Sequence, residues 1–475
     1  AGLCQLLPTM GMLLTLPDTA VIVHGALGCA ANGVGAFIGI RLRNLQNGQP
    51  EAQAGIWVST NLTENDIVHG GEEKLEQTIL ATYEQYHPRS IVVFQTCAPA
   101  VIGDDVSGVI DRVRGKLAVP VLVAYCEGFK TKVWATGYDV AFHAIVHGFI
   151  ENDKSGRPGR REQGSNRERP LVNVINLASA GKPDEDEITR LLDAIGIKVN
   201  IGPNFATREA IRNMTQADLT ISICPTHDDY FVDYLHREYG IPYVLKNMPI
   251  GLENTRTWLL DIARWFGLES QAAEVIAAEE KKVRQAVEKY KPILAGKKVF
   301  LSAGEFRALV TGGLFQELGL EVVGLRSYHH DHFGQDFYEK LVQNQQGTDF
   351  AVDIANFQPF ELSNLLKRVK PDLFVGHVTD NIWAAMQGLP TVTIFRIFDN
   401  YIGYRGFYAV AKKAARALRN FSFNRNLSLH VKNPYKDSWY EQNPFSFIKS
   451  QQDTEKPAVD VTLANSRIKG AVVNE

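Results

Sequence analysis

The sequence feature that most constrains the fold is a repeated alternation between short apolar runs and longer amphipathic stretches. The apolar runs are continuous and rich in β-branched residues, which is typical of strands buried on both faces of a sheet. They lie at 20–23, 89–94, 119–125, 171–177, 219–223, 298–303, 320–325 and 372–375. Helical patterns separate them, for example at 72–85, 185–195, 228–239, 269–290 and 305–318. The alternation predicts an α/β protein with mostly parallel sheets wrapped by helices.

Chain length and two breaks in the pattern divide the protein into three units. At about 150 residues per domain, a chain of 475 residues is long enough for three domains. The charged segment 152–170, which also carries glycine and proline, is predicted to be an exposed linker, and a second boundary falls near Lys291–Lys298. We therefore predict Rossmann-like domains at 1–170, 171–297 and 298–475, the last ending in a polar tail at 449–475.

The charge balance excludes several classes of function. Fifty basic and 53 acidic residues leave a formal charge of −3, whereas a nucleic-acid or membrane-surface protein usually has a basic excess. No apolar run approaches the length of a transmembrane helix. The first 40 residues lack a basic leader and are interrupted by Pro8 and Pro17, so we expect no signal peptide and a cytoplasmic protein. Because the sequence begins at Ala1, we also expect a further N-terminal segment.

Five cysteines carry the first indication of chemistry. They are Cys4, Cys29, Cys97, Cys126 and Cys224, an odd and sparse set without a C-x-x-C pair, which does not resemble a disulfide framework. All but Cys4 follow a predicted strand, Cys29 in a glycine-bearing turn, and in open α/β sheets the active crevice lies at the carboxyl ends of strands. A single cysteine there is often just a small apolar residue. Four together favour ligation of a soft metal, as in iron–sulfur clusters.

Other motifs are informative mainly by their absence. The chain has no G-x-x-x-x-G-K-[ST], no G-x-G-x-x-G after a strand, no G-x-S-x-G and no H-E-x-x-H, so nucleotide hydrolysis, dinucleotide binding and the common hydrolase mechanisms receive no support. His329, His330 and His332 form an H-H-D-H run that would suit either a metal or a polar loop. His377 ends strand 372–375, and His24 precedes Cys29. For each of these two histidines, a purely structural role is as compatible with the sequence as a functional one.

Several longer stretches resemble the nitrogenase component 1 family, which comprises the dinitrogenase α-type subunits and their scaffold paralogues. The resemblance extends through nearly the whole chain. The stretches that carry it are H-G-A-L-G-C (24–29), S-T-N-L-T-E-N-D-I-V-H-G-G-E-E-K-L (59–75), C-A-P-A-V-I-G-D-D (97–105), C-E-G-F (126–129), Y-G-I-P (239–242), L-G-L-E-V-V-G (318–324), K-P-D-L (370–373) and G-Y-R-G-F (403–407). It implies three α/β domains arranged around a cofactor cleft.

The resemblance also implies two cluster sites. Cys4, Cys29 and Cys97 match the residues that supply one half of a P-cluster-type [8Fe–7S] centre, the other half coming from a β-type (K) subunit in an α₂β₂-like heterotetramer. Three thiolates from one chain are an incomplete ligand set, which agrees with a heteromer. Cys224 matches the anchor of the large active-site cofactor, or of its precursor cluster, and Cys126 matches a cysteine that is not a ligand. A separate ATP-dependent [4Fe–4S] reductase is the expected electron donor.

Three positions depart from the family pattern around the large cofactor. Trp134 replaces a glutamine that lies near the cofactor, and Tyr138 replaces the proton-donating histidine of nitrogenases. Phe395 aligns with the histidine that binds the heterometal end of the cofactor, although an aromatic hydrocarbon ring cannot ligate a metal. These departures argue against nitrogen fixation, whereas the retained cysteines argue for electron transfer to a large cluster.

The same resemblance implies roles for several histidines, a tyrosine and an arginine. His377 replaces a glycine at the heterometal end and is the first candidate for the missing ligand, followed by the histidines of 329–332. Tyr138 is a candidate proton donor by position, although a phenol with a pKa of about 10 is a weak acid. Arg307 aligns, with an offset of one residue, with an arginine that balances the negative charge of the cofactor.

Three functions are compatible with these observations. The first is the catalytic D subunit of a nitrogenase-like methylthio-alkane reductase, which cleaves C–S bonds of small thioethers such as dimethyl sulfide and releases methanethiol. The second is a maturation scaffold that holds a precursor cluster, and the third is a divergent nitrogenase α chain. Trp134, Tyr138 and Phe395 would form an aromatic cavity suited to a thioether, although such a trio also occurs in ordinary cores.

Overall fold

Each apolar run that predicts a strand is a strand of a parallel sheet. The computed structural model describes residues 4–48, 55–131, 133–151, 158–159, 168–176, 181–245, 247–330, 332–344, 350–355, 358–396, 398–432 and 436–441. The predicted linker lies mostly outside these residues, and the predicted tail at 449–475 lies entirely outside them. Within the described ranges the strands form three sheets, and all their pairings are parallel.

The N-terminal sheet contains four described strands in the order β2–β1–β3–β4, where the labels follow the chain. These strands are β1 (Thr19–His24), β2 (Ile56–Ser59), β3 (Ser90–Gln95) and β4 (Val121–Tyr125). The helices of this unit are α1 (Leu6–Leu13), α2 (Leu27–Ala30), α3 (Gly33–Gln46), α4 (Glu64–His69), α5 (Glu72–Tyr86), α6 (Cys97–Ile102), α7 (Val106–Arg114) and α8 (Thr136–Ile145), which continues as a π-helical segment over Val146–Glu151.

The middle sheet contains four described strands in the order β6–β5–β7–β8. These strands are β5 (Leu171–Ile175), β6 (Lys198–Gly202), β7 (Leu219–Ser222) and β8 (Tyr243–Val244). The helices are α9 (Lys182–Ala194), α10 (Arg208–Asn213), α11 (Pro225–Tyr239), α12 (Leu252–Arg264), α13 (Glu269–Val287) and α14 (Lys291–Leu294), with short 3₁₀ turns at Met214–Gln216 and Glu288–Tyr290.

The C-terminal sheet contains five described strands in the order β11–β10–β9–β12–β13. These strands are β9 (Lys298–Ala303), β10 (Glu321–Ser327), β11 (Ala351–Ile354), β12 (Leu373–Gly376) and β13 (Thr391–Thr393). The helices are α15 (Glu305–Glu317), α16 (Gln335–Gln343), α17 (Pro359–Val369), α18 (Val378–Met386), α19 (Gly403–Arg419), α20 (Ser422–His430) and α21 (Asp437–Glu441), with a 3₁₀ turn at His332–Gly334.

Each sheet has one point at which its strand order reverses. The reversal lies between β1 and β3 in the first sheet, between β5 and β7 in the second, and between β9 and β12 in the third. Loops that follow two such strands leave in opposite directions, so a crevice opens at their carboxyl ends. Cys29 and Cys97 follow the first pair, Cys224 follows β7, and Arg307 and His377 follow the third pair. The topology therefore places the predicted site residues at the three crevices.

Apolar cores continue from one sheet to the next. Phe142 of the N-terminal unit and Phe231 of the middle unit belong to one buried cluster, and their rings stack with centroids 4.9 Å apart. A second buried cluster joins Leu219 of the middle sheet with Phe306 of the C-terminal unit. Each sheet lies within one of the predicted domains, whose boundaries at 170 and 297 stay a prediction. Among the described helices, none is both long and apolar enough to span a membrane.

The α/β class with parallel sheets is confirmed, and the differences from prediction are local. The predicted helix at 228–239 begins earlier, at Pro225, because proline is favoured in the first turn of a helix. The predicted helix at 269–290 ends at Val287 and continues as a 3₁₀ turn. Cys29 lies in the short helix α2 rather than in a turn, since this four-residue helix follows directly on Ala26.

One buried carboxylate fastens the middle unit to the C-terminal unit. Asp184 lies in the first turn of α9, and its Oδ1 accepts hydrogen bonds from the backbone N–H groups of Tyr401 and Ile402, at 2.5 and 2.7 Å. The side-chain amide of Asn400 donates to the same oxygen at 3.1 Å. Burial raises the pKa of Asp184 to about 8, although the two backbone donors act in the opposite direction. The segment that precedes α19 is thereby fixed to α9.

Asp184→Ala should lower the free energy of unfolding by about 3 kcal/mol, because two buried N–H groups would lose their acceptor. Asp184→Asn keeps an oxygen acceptor and should lose clearly less. Chemical denaturation of both variants beside the wild type measures the difference. Equal losses in the two variants would show that the hydrogen bonds at Oδ1 are not what holds this contact.

A comparison of Asp184→Asn with the wild type also tests the pKa of Asp184. Its pKa in the folded protein is raised above that of an unfolded aspartate, so folding takes up a proton between about pH 4 and pH 8. The contribution of this group is therefore fully present at low pH and decreases as the pH rises through that window. The stability of Asp184→Asn should lack this component, as thermal unfolding at several pH values can establish.

Candidate functional site

Three of the five cysteines converge beside Gly128, in the loop that follows β4. Cys29 follows β1 and Cys97 follows the neighbouring strand β3, while Cys4 precedes α1. The N–H of Gly128 donates a hydrogen bond to Sγ of Cys97 at 3.2 Å. A Cβ at Gly128 would lie 2.6 Å from Sγ of Cys4 and 3.7 Å from Sγ of Cys97. The absence of a side chain at this glycine is therefore what lets the sulfur of Cys4 lie so close to this loop.

The electrostatics of the three sulfurs favour a bound cation. Burial is the largest cause of a raised pKa at Cys29, and the neighbouring Cys97 and Cys4 raise it further, because adjacent thiolates repel. All three side chains are half-buried and reduced. Nowhere in the described ranges do three or more His, Cys, Asp or Glu side chains form a set fit for a single metal ion. Several converging thiolates are also the ligands that multi-iron clusters take.

Exposed apolar side chains surround these cysteines. Leu27, Val101 and Phe129 are 62%, 73% and 58% exposed, and each lies in the same loop or helix as a cysteine-bearing stretch. Large apolar residues at this exposure are favourable when another protein surface covers them. The three-cysteine site therefore opens onto a face with the character of an interface.

Cys224 lies in the second crevice and is buried. It is the N-terminal capping residue of α11, and its backbone N–H donates to Oγ of Ser222 at 3.0 Å. Burial raises the pKa of its thiol, while the guanidinium of Arg307, which is hydrogen-bonded to the sulfur, acts in the opposite direction. Arg307 comes from α15 of the C-terminal unit, so this contact joins two sheets. A thiolate here would have a fixed positive partner.

Arg307 also holds a histidine that the sequence analysis did not single out. Its Nη2 donates to Nδ1 of His227 at 3.3 Å, and its guanidinium lies over the ring of Phe395, 4.4 Å from the centroid. Burial and this positive charge hold the pKa of His227 well below its usual range. A neutral ring that accepts at Nδ1 carries its proton on Nε2. His227 is therefore a neutral imidazole with an Nε2–H donor.

Two aromatic side chains pack against the ring of His227. The ring of Tyr138 lies parallel to it, with centroids 4.0 Å apart and an angle of 19° between the planes. Trp134 contacts both rings, with centroids 6.2 and 6.4 Å away. Burial raises the pKa of Tyr138 to about 12, which makes its phenol a weaker acid than in water. The phenol of Tyr138 is therefore a poor proton donor. Its stacking contact orients the ring of His227.

His377 and Phe395 lie together in this site, on the other side of Arg307 from His227. Their rings are stacked with centroids 6.2 Å apart, and Tyr328 lies 6.0 Å from His377 on another side. Burial and Arg307 lower the pKa of His377 to about 4, so its imidazole is neutral, as a metal ligand requires. Phe395 has a φ of +54°, a left-handed conformation that is strained for an aromatic residue.

The H-H-D-H run does not act as one unit in the described part of the chain. The charge of His329 depresses the pKa of His227, which places it near the Cys224 site. His330 is exposed and pairs with Glu305, with 3.0 Å between its Nδ1 and the carboxylate. The side chain of His332 and residue 331 lie outside the described residues. His329 and His330 therefore have different surroundings, and a metal role for this run stays a prediction.

Cys126 is fully buried, and its thiol donates to the carbonyl of Ala124 at 3.3 Å. Beside Trp134 and Tyr138 lies a cavity of about 330 Å³, walled by apolar residues such as Met12, Ile40 and Phe205. It reaches the aromatic face of the Cys224 site from the side of α1 and α3.

The side chains around Cys224 fit an anionic, soft-metal cluster. They provide one thiolate, the neutral imidazoles of His227 and His377, and the fixed positive charge of Arg307. The sequence prediction missed His227 because this residue is neither a cysteine nor at the end of a strand. The indication in the sequence was its position three residues after Cys224, since residues i and i+3 share one face of a helix.

The sequence of this chain is similar to those of known proteins. A family model described as nitrogenase component 1 type oxidoreductase matches residues 4–419. The nitrogenase molybdenum-iron protein alpha chain of Methanosarcina barkeri is 25% identical over 479 residues, which is 90% of this chain and 85% of that protein. The nitrogenase iron-molybdenum cofactor biosynthesis protein NifE of Methanococcus maripaludis is 27% identical over 407 residues, which is 84% of this chain and 80% of that protein.

A solved structure shows the fold. Nitrogenase Cp1 at pH 5 superimposes with a TM-score of 0.72 at 23% sequence identity, and the match covers 92% of this chain and 91% of that chain. The predicted arrangement of parallel α/β units is therefore confirmed at the level of the fold.

Gly128→Ala should remove most of the iron from the three-cysteine site, because the new Cβ would lie 2.6 Å from Sγ of Cys4. The matched control is Gly115→Ala, since Gly115 has ordinary helical dihedral angles and open space where a Cβ would be. Iron analysis and electron paramagnetic resonance (EPR) spectroscopy of both purified variants measure the effect. Full iron in Gly128→Ala would mean that the sulfurs do not need this close approach.

Proposed function

This chain belongs to the nitrogenase component 1 type oxidoreductases, as its motifs predicted, and we propose that it is the catalytic subunit of a reductase that cleaves small methylthio-alkanes. A substrate such as dimethyl sulfide would take up two electrons and two protons. The C–S bond breaks, one proton completes a C–H bond of the released alkane, and the other completes the S–H bond of methanethiol. The electrons come from a separate ATP-dependent [4Fe–4S] reductase.

The observation that carries this proposal is the aromatic and neutral lining of the Cys224 site. Trp134, Tyr138 and Phe395 provide apolar surface, and the imidazoles of His227 and His377 are uncharged. A thioether is apolar with a polarizable sulfur, and such sulfurs contact aromatic rings favourably, by about 0.3–1.5 kcal/mol. The cavity beside Trp134 has room for small molecules of this class.

Two cofactors are part of the proposal, a P-cluster-type centre shared with a partner and a large cofactor-like or precursor-type cluster. When bound, they supply stored electrons and reduced iron at which the substrate reacts. Cys4, Cys29 and Cys97 would hold the first, while Cys224 and His377 would hold opposite ends of the second. Arg307 balances negative charge beside Cys224, with its guanidinium fixed against Phe395.

The ring of His227 presents an N–H donor to this site. Its neutral ring carries that proton on Nε2, because Nδ1 accepts from Arg307. Tyr138 keeps the imidazole plane in place through the parallel stack. Trp134 packs against both rings. We therefore assign a hydrogen-bond donor role to His227, whose neutral ring is an even weaker acid than the phenol of Tyr138.

The partner in the proposal is a β-type (K) subunit in an α₂β₂-like heterotetramer. Leu27, Val101 and Phe129 form an apolar rim around the three-cysteine site, which a second subunit would cover while completing the ligand set. The proposed location is the cytoplasm, and the proposed partners include neither nucleic acid nor a membrane.

The second candidate function is a cofactor-maturation scaffold, and one observation favours it. Phe395 offers no ligand to a heterometal, which suits a protein that holds an iron-only precursor, and the relative named NifE is described as a cofactor biosynthesis protein. A third candidate, a divergent nitrogenase α chain, would have to work without the family histidine at Tyr138. Turnover separates these functions.

The purified heteromer, mixed with its reductase, ATP and dimethyl sulfide, should release methanethiol, which gas chromatography detects. A scaffold would release no methanethiol and would instead transfer its cluster to an acceptor protein. Reduction of dinitrogen to ammonia under the same conditions would support the third candidate and contradict the first.

Cys224→Ala should abolish retention of the catalytic cluster and lower turnover by several orders of magnitude, while the heteromer still assembles, because this sulfur is the only buried thiolate beside Arg307 among the described residues. Cys126→Ala is the matched control, a second buried cysteine, whose thiol donates to the carbonyl of Ala124 in β4. Metal analysis and size-exclusion chromatography read out both effects. Unchanged iron in Cys224→Ala would refute the assignment.

His377→Ala should loosen or shift the cluster at its far end, because the neutral imidazole beside Phe395 would be lost. The matched control is His330→Ala, which removes an exposed histidine that pairs with Glu305. The EPR spectrum of the catalytic cluster is the measurement. An identical spectrum in His377→Ala and wild type would leave this histidine with a packing role.

A further inference from the structure

A stripe of metal-binding residue types runs along α8 and its π-helical continuation. Asp139, His143, His147 and Glu151 follow one another at intervals of four residues, a spacing that brings side chains onto one face of a helix. The two histidines in the middle are exposed, and their ring centroids lie only 4.2 Å apart. Neither histidine belongs to the Cys224 site or to the three-cysteine site.

The Nδ1 atom of each ring has an oxygen partner. Nδ1 of His147 lies 2.5 Å from the carboxylate of Glu151, and Nδ1 of His143 lies 2.9 Å from the hydroxyl oxygen of Tyr230 on α11. A carboxylate can only accept, so a neutral His147 carries its proton on Nδ1 and a lone pair on Nε2. The oxygen of Tyr230 can accept from Nδ1 of His143 in the same way. Histidines that bind metals usually donate their other ring N–H to an oxygen, as here.

The surroundings of His143 favour its neutral form. Burial lowers the pKa of His143, and the neighbouring His147 lowers it further because two adjacent cations repel each other. The carboxylate of Glu151 acts in the opposite direction. A neutral imidazole is the form that binds a metal ion.

The distance between the two rings suits a single ion. Two imidazoles bound to one tetrahedral ion have their centroids roughly 5 Å apart, given metal–nitrogen bonds of about 2.0–2.1 Å. The observed 4.2 Å is slightly shorter, and both rings are exposed, so a small opening of the pair is sufficient. Both histidines also line an open groove of about 670 Å³ beside the edge strand β4, which leaves room for water on the ion.

We propose that Nε2 of His143 and Nε2 of His147 bind one divalent transition-metal ion of the class that prefers imidazole, namely Zn²⁺, Ni²⁺ or Cu²⁺. In the described part of the chain, no third His, Cys, Asp or Glu side chain completes a ligand set with them, so water fills the remaining positions. Glu151 and Tyr230 are positioning residues, since they hold the Nδ1 protons. The site shares no residue with either cluster site and goes beyond the proposed function.

The test uses the purified heteromer, with Ni²⁺ as the probe. Calorimetric titration should detect one more equivalent of bound Ni²⁺ per chain in the wild type than in His143→Ala or His147→Ala. In crystals of the wild type soaked with Ni²⁺, anomalous maps recorded above and below the nickel absorption edge should differ by a peak between the two imidazoles. Iron scatters similarly on both sides of that edge, so the clusters do not obscure the peak.

His236→Ala is the matched control. His236 is also exposed on a helix, and its Nδ1 lies 3.1 Å from the carbonyl oxygen of Ile241, but Val232 and Gly240 occupy the positions four residues away. A single imidazole cannot chelate an ion, so this variant should bind as much Ni²⁺ as the wild type. Glu151→Gln keeps both ligands but offers Nδ1 a weaker acceptor, so it should lower the affinity by about 10-fold.

Three results would overturn this proposal. They are equal binding of Ni²⁺ by the wild type and both ligand variants, the lack of a nickel peak at the pair in soaked wild-type crystals, and a loss in His236→Ala as large as that in His147→Ala. The map of the wild type decides the question even if a substitution impairs folding. A heteromer that binds Ni²⁺ at His143 and His147 but turns over no thioether would support the metal site and contradict the proposed function.

Discussion

Parallel strand pairing is the constraint on which the rest of this molecule depends. The strands of a parallel sheet run in the same direction, so they all end at the same edge, and the connections between them return along the sheet, usually as helices. Where the strand order reverses, the loops diverge and leave a crevice. Cys29 and Cys97 share the first such crevice, Cys224 lies at the second, and Arg307 and His377 lie at the third. Reactive side chains that are far apart in the sequence are thereby brought together at a few crevices.

A single buried guanidinium organises the second and third crevices. Arg307 contacts the sulfur of Cys224, donates to His227 and covers the ring of Phe395. Burial is the larger cause of the lowered pKa of His227 and of His377, and the charge of Arg307 lowers both further while favouring a thiolate at Cys224. Burial and one cation therefore favour an anionic sulfur beside two neutral imidazoles. This division of charge follows from burial, since the same groups in water would interact far more weakly.

The sequence pattern predicted the interior strands better than the edge strands. All interior strands, such as Ser90–Gln95 and Lys298–Ala303, were recognised because strands buried on both faces read as unbroken apolar runs. Edge strands such as Ala351–Ile354 and Tyr243–Val244 were not recognised, because they are short and only partly buried. For the same reason, the order of strands within each sheet and the shared apolar cores could not be read from periodicity.

The sequence by itself determined which thiols and imidazoles are available, because they are covalent properties of the chain. Its family resemblance predicted that Cys4, Cys29 and Cys97 act as one group and that His377 and Phe395 line the same end of the cofactor site. Only the tertiary structure decided how these groups behave. The stack of His227 on Tyr138 joins side chains 89 positions apart, and the contact of Arg307 with Cys224 joins two sheets. Protonation state and hydrogen bonding depend on such distant neighbours and on burial, which local sequence does not encode.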